Sequence, residues 1–373
     1  MNIVLTYDPR WQYSTGKQYP IWNSLNTVDY AASVLKNVGC NICLLKADIA
    51  LECNLQNIKS KLPNTLVFWL NEFMPSEHDG DIFTVEIIEK TGMMYTGPNL
   101  KALSIGIDKE ATKQVFRYLG LKTPDSCVVF PGDYSPLYQC CNWDGFVITK
   151  PLLQGNSKGI NDFSVVRAGN IRAIKNRVKN IHNEFNEPAI VEGFIGGEDV
   201  KELTVPIFIS FDGRIAELPI IEIELDRIPS PRRDIRYLTH AIKDNVNYLK
   251  IPAYLPYEID KKVRYDVRRI AKTIGCRDIS RVDLRVNSSG MHYIEVNVNP
   301  SKSKFNSSIA YAINYLGLDY AQLLAYIPYQ ALRRYGIEPP RKLERLAEPV
   351  MALFYDSHLE QQIHQTEFVN LNL

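Results

Sequence analysis

Two alternating runs of polar and apolar residues between positions 279 and 300 carry the clearest chemical signal in the chain. The sequence there is ISRVDLRVNSSGMHYIEVNVNP. Each run alternates with period two, and Asn-Ser-Ser-Gly separates them, a pattern that predicts a β-hairpin with one apolar face and one polar face. The polar face carries carboxylate, amide and guanidinium groups, which are groups that bind metal ions and anions.

The register of this hairpin decides which polar groups meet. With the loop at residues 287–291, Asp283 lies opposite Glu295 and Arg281 lies opposite Asn297. Opposed side chains have Cβ atoms about 5 Å apart, so two facing carboxylates are unfavourable unless a cation lies between them. Carboxylate and amide oxygens are ligands that Mg²⁺ prefers, and this face therefore predicts a magnesium site. The alternative is a solvated face whose charges are offset by the arginines of the same strand.

A second pattern, Gly155-Asn156-Ser157-Lys158-Gly159, matches the G-x-S-x-G nucleophile elbow of α/β-hydrolases. An elbow requires a helix directly after the serine, whereas the residues that follow Gly159 are β-branched and turn-forming. A hydrolase with Ser157 as its nucleophile is therefore a weak alternative. Small residues before a cation also suit a loop whose backbone N–H groups bind phosphate oxygens.

Composition excludes several other classes of protein. The chain has 373 residues, with 43 Lys and Arg against 42 Asp and Glu, and this balance argues against a nucleic-acid or membrane-surface binder. The sequence contains neither G-x-G-x-x-G nor G-x-x-x-x-G-K-[ST], and its six histidines form no H-E-x-x-H. Seven scattered cysteines and an N-terminus without an apolar leader predict a cytoplasmic protein with reduced thiols.

The elements that must position these groups fall into successive regions. Strands and helices alternate over the first hundred residues, and Asp108 is a good N-cap for a helix that ends near Gly120. We expect an N-terminal α/β domain at 1–106, a central lobe at 107–188, a C-terminal lobe with the metal site at 189–330 and an extension at 331–373. A loop at 226–247, rich in proline and arginine and here called the lid loop, is long enough to predict a functional or solvated segment.

Seven short motifs follow one another between residues 65 and 330. They are Tyr95–Gly97, Ile107–Lys113, Val147–Pro151 with Gly155–Gly159, Val191–Ile195, Glu202–Val205, Arg236–Leu238, and Arg281–Asp283 with Glu295–Pro300. In type and order they resemble the motifs of the ATP-grasp superfamily and, within it, of the D-alanine–D-alanine ligase group. The resemblance implies an α/β (α+β) chain with the ATP-grasp fold, three subdomains and a nucleotide held between two α+β lobes. It also implies an ADP-forming carbon–nitrogen ligase that acts through an acyl phosphate.

The resemblance implies two cofactors, ATP and Mg²⁺ (two ions), and a role for each matching residue. The implied nucleotide-binding residues are Lys109, Lys150, Gly155, Ser157, Gly159, Glu192, Phe194, Ile195 and Glu202, with Glu198 as an alternative to Glu202 at the ribose. The implied metal ligands are Asp283, Glu295 and Asn297, which agrees with the hairpin argument. Arg281 would stabilise the acyl phosphate and the tetrahedral intermediate, and Arg236 and Tyr237 would act from the lid loop.

The substrate side departs from the family pattern. The family's N-terminal Glu, which holds an ammonium group, has no match in residues 6–14, its His-Gly is Asn71-Glu72, and its Gly after Pro300 is Ser301. The implied substrate residues are Arg10, Lys302, Lys304 and Asn306. We therefore expect a ligase for a small-molecule carboxylate and an amine in peptide-like natural-product synthesis, for example of mycosporine type. The alternative is a genuine D-alanine–D-alanine ligase of cell-wall synthesis. Neither nucleic acid nor membrane is an expected partner, and a homodimer is expected by resemblance.

Overall fold

The computed structural model describes residues 1–11, 24–76, 81–140, 142–228, 230, 234–245, 250–304 and 307–355. The first region is a parallel four-stranded sheet in the order β2-β1-β3-β6. A short antiparallel pair, β4 with β5, follows β3. The elements are β1 (Asn2–Tyr7), α1 (Leu25–Asn37), β2 (Asn41–Lys46), α2 (Leu51–Lys61), β3 (Thr65–Trp69), β4 (Phe73–Pro75), β5 (Asp81–Phe83), α3 (Thr84–Thr91), β6 (Met94–Tyr95) and α4 (Leu100–Ile107).

The second region is an antiparallel sheet in the order β7-β10-β8-β9. Its elements are α5 (Lys109–Tyr118), β7 (Ser126–Val129), α6 (Leu137–Cys140), β8 (Phe146–Pro151), β9 (Val165–Arg167), α7 (Ile171–Phe185) and β10 (Ala189–Gly193). Asp108 caps α5 as predicted, because its carboxylate accepts hydrogen bonds from the N–H groups of Glu110 and Ala111.

The third region is a larger sheet in the order β14-β13-β11-β15-β16, with β12 paired to β11. Its elements are β11 (Lys201–Ile209), β12 (Ile215–Glu217), β13 (Ile221–Ile223), a 3₁₀ turn (Leu225–Arg227), α8 (His240–Asn245), β14 (Lys250–Pro252), α9 (Tyr257–Ile274), β15 (Asp278–Asn287) and β16 (Gly290–Asn297). Three helices follow: α10 (Ser308–Tyr315), α11 (Tyr320–Arg334) and α12 (Arg341–Ala352).

Three of the expected domain boundaries are wrong in detail. The boundary at 188/189 assigns β10 to the third region, but β10 pairs with β7 and β8 in the second sheet. The boundary at 106/107 falls inside α4, and the boundary at 330/331 falls inside α11. A helix cannot be divided at these points, because its backbone hydrogen bonds run across them.

The helices α11 and α12 belong to the main core rather than to a separate extension. Leu343, Ala347 and Val350 of α12 are fully buried in one apolar cluster with Ile3 and Leu5 of β1. The cluster also contains most of α11 and part of the third sheet. The end of the described chain therefore packs against its beginning. Among the residues described, no helix has the length and apolarity needed to cross a membrane.

Candidate active site

The predicted hairpin is present, and the predicted register is found at residues 281–283, but the predicted loop at 287–291 is wrong, because Asn287 pairs with Gly290 across a two-residue turn. β15 pairs antiparallel with β16, with Asp283 opposite Glu295 and Arg281 opposite Asn297, and a bulge follows Asp283. The apolar partners Val282 and Val296 are buried on the other face. The chain therefore brings two carboxylates face to face because the apolar side of the hairpin fixes its register.

A cavity lies between the second and third sheets, and most of the predicted nucleotide, metal and catalytic residues line it. These are Lys109, Lys150, Ser157, Glu192, Phe194, Ile195, Glu202, Tyr237, Arg281, Asp283 and Glu295. The remaining nucleotide residues, Gly155 and Gly159, belong to the same loop as Ser157, and Asn297 follows Glu295 on β16. The motifs that are far apart in the sequence thus converge on one site.

The first of the two predicted phosphate lysines, Lys109, begins helix α5 and is buried. Its ammonium group donates to the carbonyl oxygens of Leu152 at 3.1 Å and Gln154 at 2.7 Å. Burial lowers its pKa to about 8, while Glu295 acts in the opposite direction. The hydrogen-bond acceptors of this buried ammonium group are neutral oxygens. An anionic ligand would raise the pKa of Lys109 again and so favour its charged form.

The second predicted phosphate lysine, Lys150 of β8, forms a buried ion pair with Glu192 of β10. The other carboxylate oxygen of Glu192 lies 2.8 Å from the ammonium nitrogen of Lys113 in α5. Burial on its own would raise the pKa of Glu192, but the two lysines lower it to about 2. Glu192 is thus held as an anion between two cations. The sequence analysis did not assign Lys113 a role, although it lies within the Ile107–Lys113 motif.

The loop that contains Ser157 has a left-handed backbone at three positions and is not followed by the helix that a nucleophile elbow requires. Asn156 and Ser157 have φ angles of 53° and 55°, and Gly159 has φ 71°. A Cβ on Gly159 would lie 2.5 Å from the Pro151 ring, so only glycine fits there. Turns and then strand β9 follow the loop instead of a helix. The structural context of a hydrolase elbow is therefore absent at this loop.

The hinge between the two lobes is the segment that joins β10 to β11. The N–H of Phe194 donates to the carbonyl oxygen of Phe146 at 2.8 Å, which holds the hinge against β8. Glu202 of β11 lines the cavity and forms an ion pair with Arg285 of β15. Glu198 lies outside the cavity wall. Of the two candidate ribose carboxylates, the position of Glu202 is therefore the better suited.

Burial and charge act differently on the two carboxylates of the hairpin. Burial raises the pKa of Asp283 to about 6, against an opposing effect of Arg281, whose guanidinium lies 3.3 Å away. The Thr204 hydroxyl donates to the same carboxylate at 2.7 Å. Burial also acts to raise the pKa of Glu295, but neighbouring cations, Lys150 first among them, lower it overall. No three His, Cys, Asp or Glu side chains meet among the described residues, so the candidate ligand set has two carboxylates only.

Of the two residues predicted to act from the lid loop, only Tyr237 lines the cavity, and two lysines that were not predicted, Lys243 of the lid loop and Lys250 of β14, line it as well. Tyr237 lines the cavity and donates to the Asn161 carbonyl oxygen at 3.0 Å, whereas Arg236 turns away to Asp226 and the Glu198 carbonyl oxygen. Lys243 and Lys250 also line the cavity. Burial, with Arg281 and Lys243 nearby, lowers the pKa of Lys250 to about 7. These two lysines could not be predicted, because each stands in a segment without a recognisable motif.

The predicted substrate residues do not line this cavity, and two of them are engaged elsewhere. Arg10 forms ion pairs with Asp8 at 2.6 Å and with Asp81 at 2.9 Å. Lys304 is exposed and lies over the ring of Tyr30. Asn306 lies outside the described residues. A role for Arg10 and Lys304 at the substrate stays a prediction.

Lys302, the remaining predicted substrate residue, is buried next to the ends of β1 and β3. Its ammonium group donates to Asn299 at 2.6 Å and lies over the Trp69 ring. Burial lowers its pKa to about 8, with Glu72 and Asp278 opposing that effect. Burial raises the pKa of Glu72 to about 7, and Lys302 offsets part of the rise. A carboxylate of the first region and an ammonium group of the third are thus close enough to shift each other's pKa.

Comparison with known proteins agrees with this arrangement of fold and site. The family model described as D-ala D-ala ligase C-terminus matches residues 116–327, more than half of the chain. The D-alanine–D-alanine ligase of Actinobacillus pleuropneumoniae is 32% identical over 230 residues, 60% of this chain and 68% of the relative. That of Aquifex aeolicus is 26% identical over 308 residues, 82% of this chain and 94% of the relative.

Solved structures give the same result for the fold. The D-alanine–D-alanine ligase of Bacillus anthracis superposes with a TM-score of 0.66 at 19% identity, over 90% of this chain and 99% of that one. A structure of that ligase complexed with ATP gives a TM-score of 0.64 at 18% identity, with the same coverage of each chain. The chain belongs to the D-alanine–D-alanine ligase C-terminus family and has the ATP-grasp fold, as predicted. It is an ATP-dependent, ADP-forming carbon–nitrogen ligase that joins a carboxylate to an amine.

Proposed function

We propose that the chain joins two amino acids through a peptide bond, and that D-alanine is the substrate on both sides. The family match and the curated relatives support this substrate, since the relatives named above are D-alanine–D-alanine ligases. The expected place in natural-product synthesis finds no support among these relatives. The observation that carries the proposal is that the two lysines predicted to bind phosphate and the two opposed carboxylates of the hairpin line one cavity.

The reaction needs two steps, and both develop negative charge. A carboxylate oxygen attacks the γ-phosphorus of ATP, which gives an acyl phosphate and ADP, and an amine then displaces phosphate. Lys109 and Lys150 both line the cavity and would neutralise the phosphate oxygens. Arg281 stands beside the carboxylates and would stabilise the anion that forms when the amine attacks.

The hairpin face fits Mg²⁺. Two opposed carboxylates with an adjacent amide form a set of hard oxygen ligands, and the raised pKa of Asp283 indicates that the nearby arginine does not fully compensate its charge. Asp283, Glu295 and Asn297 would hold the metal. When bound, Mg²⁺ supplies charge neutralisation at the phosphate oxygens.

The amino-acid site is best placed at the ends of β1 and β3. All strands of the first sheet are parallel, and β1 has β2 on one side and β3 on the other. This is a topological switch point, where open α/β sheets bind ligands at the carboxyl ends of their strands. Glu72 follows β3 there and would take the substrate ammonium, the role of the missing N-terminal Glu. Lys302, fixed on Asn299, would provide positive charge for a carboxylate.

A direct assay tests the proposal. The purified chain is incubated with D-alanine, ATP and Mg²⁺, and ADP release and D-alanyl-D-alanine are measured together. We expect one dipeptide for each ADP, and no product from L-alanine. The Asp283→Asn variant serves as the inactive control. ADP release that requires another carboxylate or amine, with no dipeptide from D-alanine, would contradict the substrate but not the ligase chemistry. A homodimer stays a prediction, to be checked by sedimentation.

A further inference from the structure

Arg285 of β15 makes an unusual set of contacts inside the cavity. Its guanidinium group is bound to the Glu202 carboxylate, with Nε at 3.1 Å from Oε2 and Nη2 on the same oxygen. Nη1 donates to the Ile195 carbonyl oxygen at 2.9 Å, and Nη2 donates to the Arg236 carbonyl oxygen at 3.1 Å. The side chain lines the cavity, and the residue is only 7% exposed.

The three acceptors belong to three different parts of the site. Ile195 belongs to the hinge, Glu202 is the candidate ribose carboxylate, and Arg236 belongs to the lid loop. The guanidinium also lies 5.0 Å from the centre of the Phe194 ring, which faces the cavity beside it. A planar group with five donors can hold several acceptors in one fixed geometry, which an ammonium group cannot do.

The lid loop is joined to the hinge by contacts that do not involve Arg285. The N–H of Gly197 donates to the Asp234 carbonyl oxygen at 3.1 Å, and Arg236 donates to the Glu198 carbonyl oxygen at 3.1 Å. A Cβ on Gly196 would lie 2.4 Å from the Asp234 carbonyl oxygen, so close approach requires glycine there. Residues 234–236 therefore lie directly on the hinge, and Arg285 fastens them from the cavity side.

We propose that Arg285 is a positioning residue that couples nucleotide binding to docking of the lid loop. It orients the Glu202 carboxylate toward the nucleotide, and with the same group it holds Arg236 against the hinge. The proposal rests on the proposed function, since it requires the nucleotide to bind beside Glu202. A docked lid loop excludes water from the acyl phosphate, so Arg285 protects the ligation from hydrolysis.

Two substitutions at this position separate charge from geometry. Arg285→Met keeps much of the side-chain volume and removes all donors. Arg285→Lys keeps the charge beside Glu202 but lacks the planar fork that reaches both carbonyl oxygens. A matched control is Arg268→Met, because Arg268 of α9 also forms a two-contact ion pair, with Glu217, and does not line the cavity.

The readouts are KM for ATP, kcat, and the ratio of ADP released to peptide bonds formed. We expect Arg285→Met to raise KM for ATP roughly tenfold, since charge-assisted hydrogen bonds that fix the site are lost. It should also raise the ratio of ADP to product severalfold, because water reaches the intermediate. Arg285→Lys should recover most of the ATP affinity and still raise that ratio. Arg268→Met should change neither quantity.

Each outcome decides the proposal. If a folded Arg285→Met variant keeps the wild-type ratio and the wild-type KM, Arg285 has no positioning role. If Arg285→Met does not fold, Arg285→Lys is the test. A wild-type ratio of ADP to peptide bonds in Arg285→Lys would show that Arg285 does not couple nucleotide binding to docking of the lid loop. Trypsin cleavage within residues 227–243, with a non-hydrolysable ATP analogue present, should be faster in both variants than in the control. A wild-type chain that neither binds ATP nor releases ADP would instead refute the proposed function.

Discussion

Burial gives two carboxyl groups of this chain opposite pKa shifts, depending on their neighbours. Glu192 is held between Lys113 and Lys150, which outweigh its burial and lower its pKa to about 2. Burial raises the pKa of Glu72 to about 7, and Lys302 opposes that rise only in part. A carboxylate without full compensation gains most from a ligand cation, which is the physical reason for placing a substrate ammonium at Glu72.

The Glu72→Gln variant tests that placement. The pKa of Glu72 lies near 7 in the free enzyme, so protonation below pH 7 removes the charge that would bind an ammonium group. We expect kcat/KM for D-alanine to fall below about pH 7 in the wild type, as the free enzyme's pKa governs this parameter. Glu72→Gln should have a raised KM for D-alanine, and its kcat/KM should not fall below pH 7 in this way.

The control for Glu72 is Glu86→Gln, which removes an exposed carboxylate paired with Lys90 on helix α3. It should leave the pH profile unchanged. An acid limb near pH 7 that persists in Glu72→Gln would show that another group titrates there.

Lys150 and Ser157 make a second contrast among single residues. Lys150→Ala should weaken ATP binding by about tenfold or more, measured by calorimetry, since a cation facing the phosphates is lost. Ser157→Ala should keep substantial activity, because the loop can act through backbone N–H groups at positive φ. Loss of all activity in Ser157→Ala at unchanged ATP affinity would favour the hydrolase alternative.

Sequence reasoning found the residues that stand in ordered motifs and missed those defined by contact. Lys109, Lys150 and Glu202 could be named because their neighbours along the chain form recognisable patterns. Arg285 was considered only as a counter-charge, since its acceptors lie 83, 90 and 49 positions away. Lys243 stands in a segment whose pattern predicts only a long loop, and Lys250 follows that segment without a motif of its own. Such positions become visible when tertiary contacts are known.

The hairpin was predictable at the scale of elements because its signal is local. Period-two alternation fixes which face is buried, but it does not reveal the bulge after Asp283, which combines the shorter observed turn with the predicted pairing of Asp283 and Glu295. The sheet to which strand β10 belongs is harder to predict. Its residues Ala189–Val191 are all buried, so no alternation distinguishes a solvent face from a core face. Its partners β7 and β8 precede it in the chain, and nothing within the strand identifies them. This explains why the boundary at 188/189 was placed before it.

The hairpin carries a prediction of its own. Asp283→Asn and Glu295→Gln should each abolish turnover, because each removes a candidate Mg²⁺ ligand. Asp283→Asn also removes a carboxylate whose pKa is raised, so its melting temperature without nucleotide should hold or rise, whereas Glu295→Gln should lower it, because neighbouring cations lower the pKa of Glu295 and favour its charged form. Turnover is measured by ADP release and stability by thermal unfolding. Wild-type ADP production in either variant would mean that the metal site is assigned to the wrong residues.

Three regions of the whole molecule meet at Asp278, the first residue of β15. Its carboxylate accepts a hydrogen bond from the Gly97 N–H at 2.6 Å and forms an ion pair with Arg334 of α11 at 2.6 Å. Arg334 also donates to the Tyr95 carbonyl oxygen at 3.1 Å. The end of the first sheet, the third sheet and a C-terminal helix are thus joined by one charged pair. This contact, together with the shared core, explains why residues 331–352 are not a separate extension.

Removing one partner of this ion pair should lower the free energy of unfolding of the chain. The Asp278 side chain is 0% exposed and that of Arg334 is 18% exposed, so Arg334→Met leaves a buried carboxylate with its charge uncompensated. We expect a loss of about 3 kcal/mol in the free energy of unfolding, measured with urea, since breaking a buried ion pair typically costs that much. The adjacent Arg333 provides the control, because its pair with Glu338 spans 3.5 Å at the surface. Arg333→Met should cost less than about 1 kcal/mol. Equal losses in the two variants would mean that Asp278 and Arg334 do not hold the three regions together.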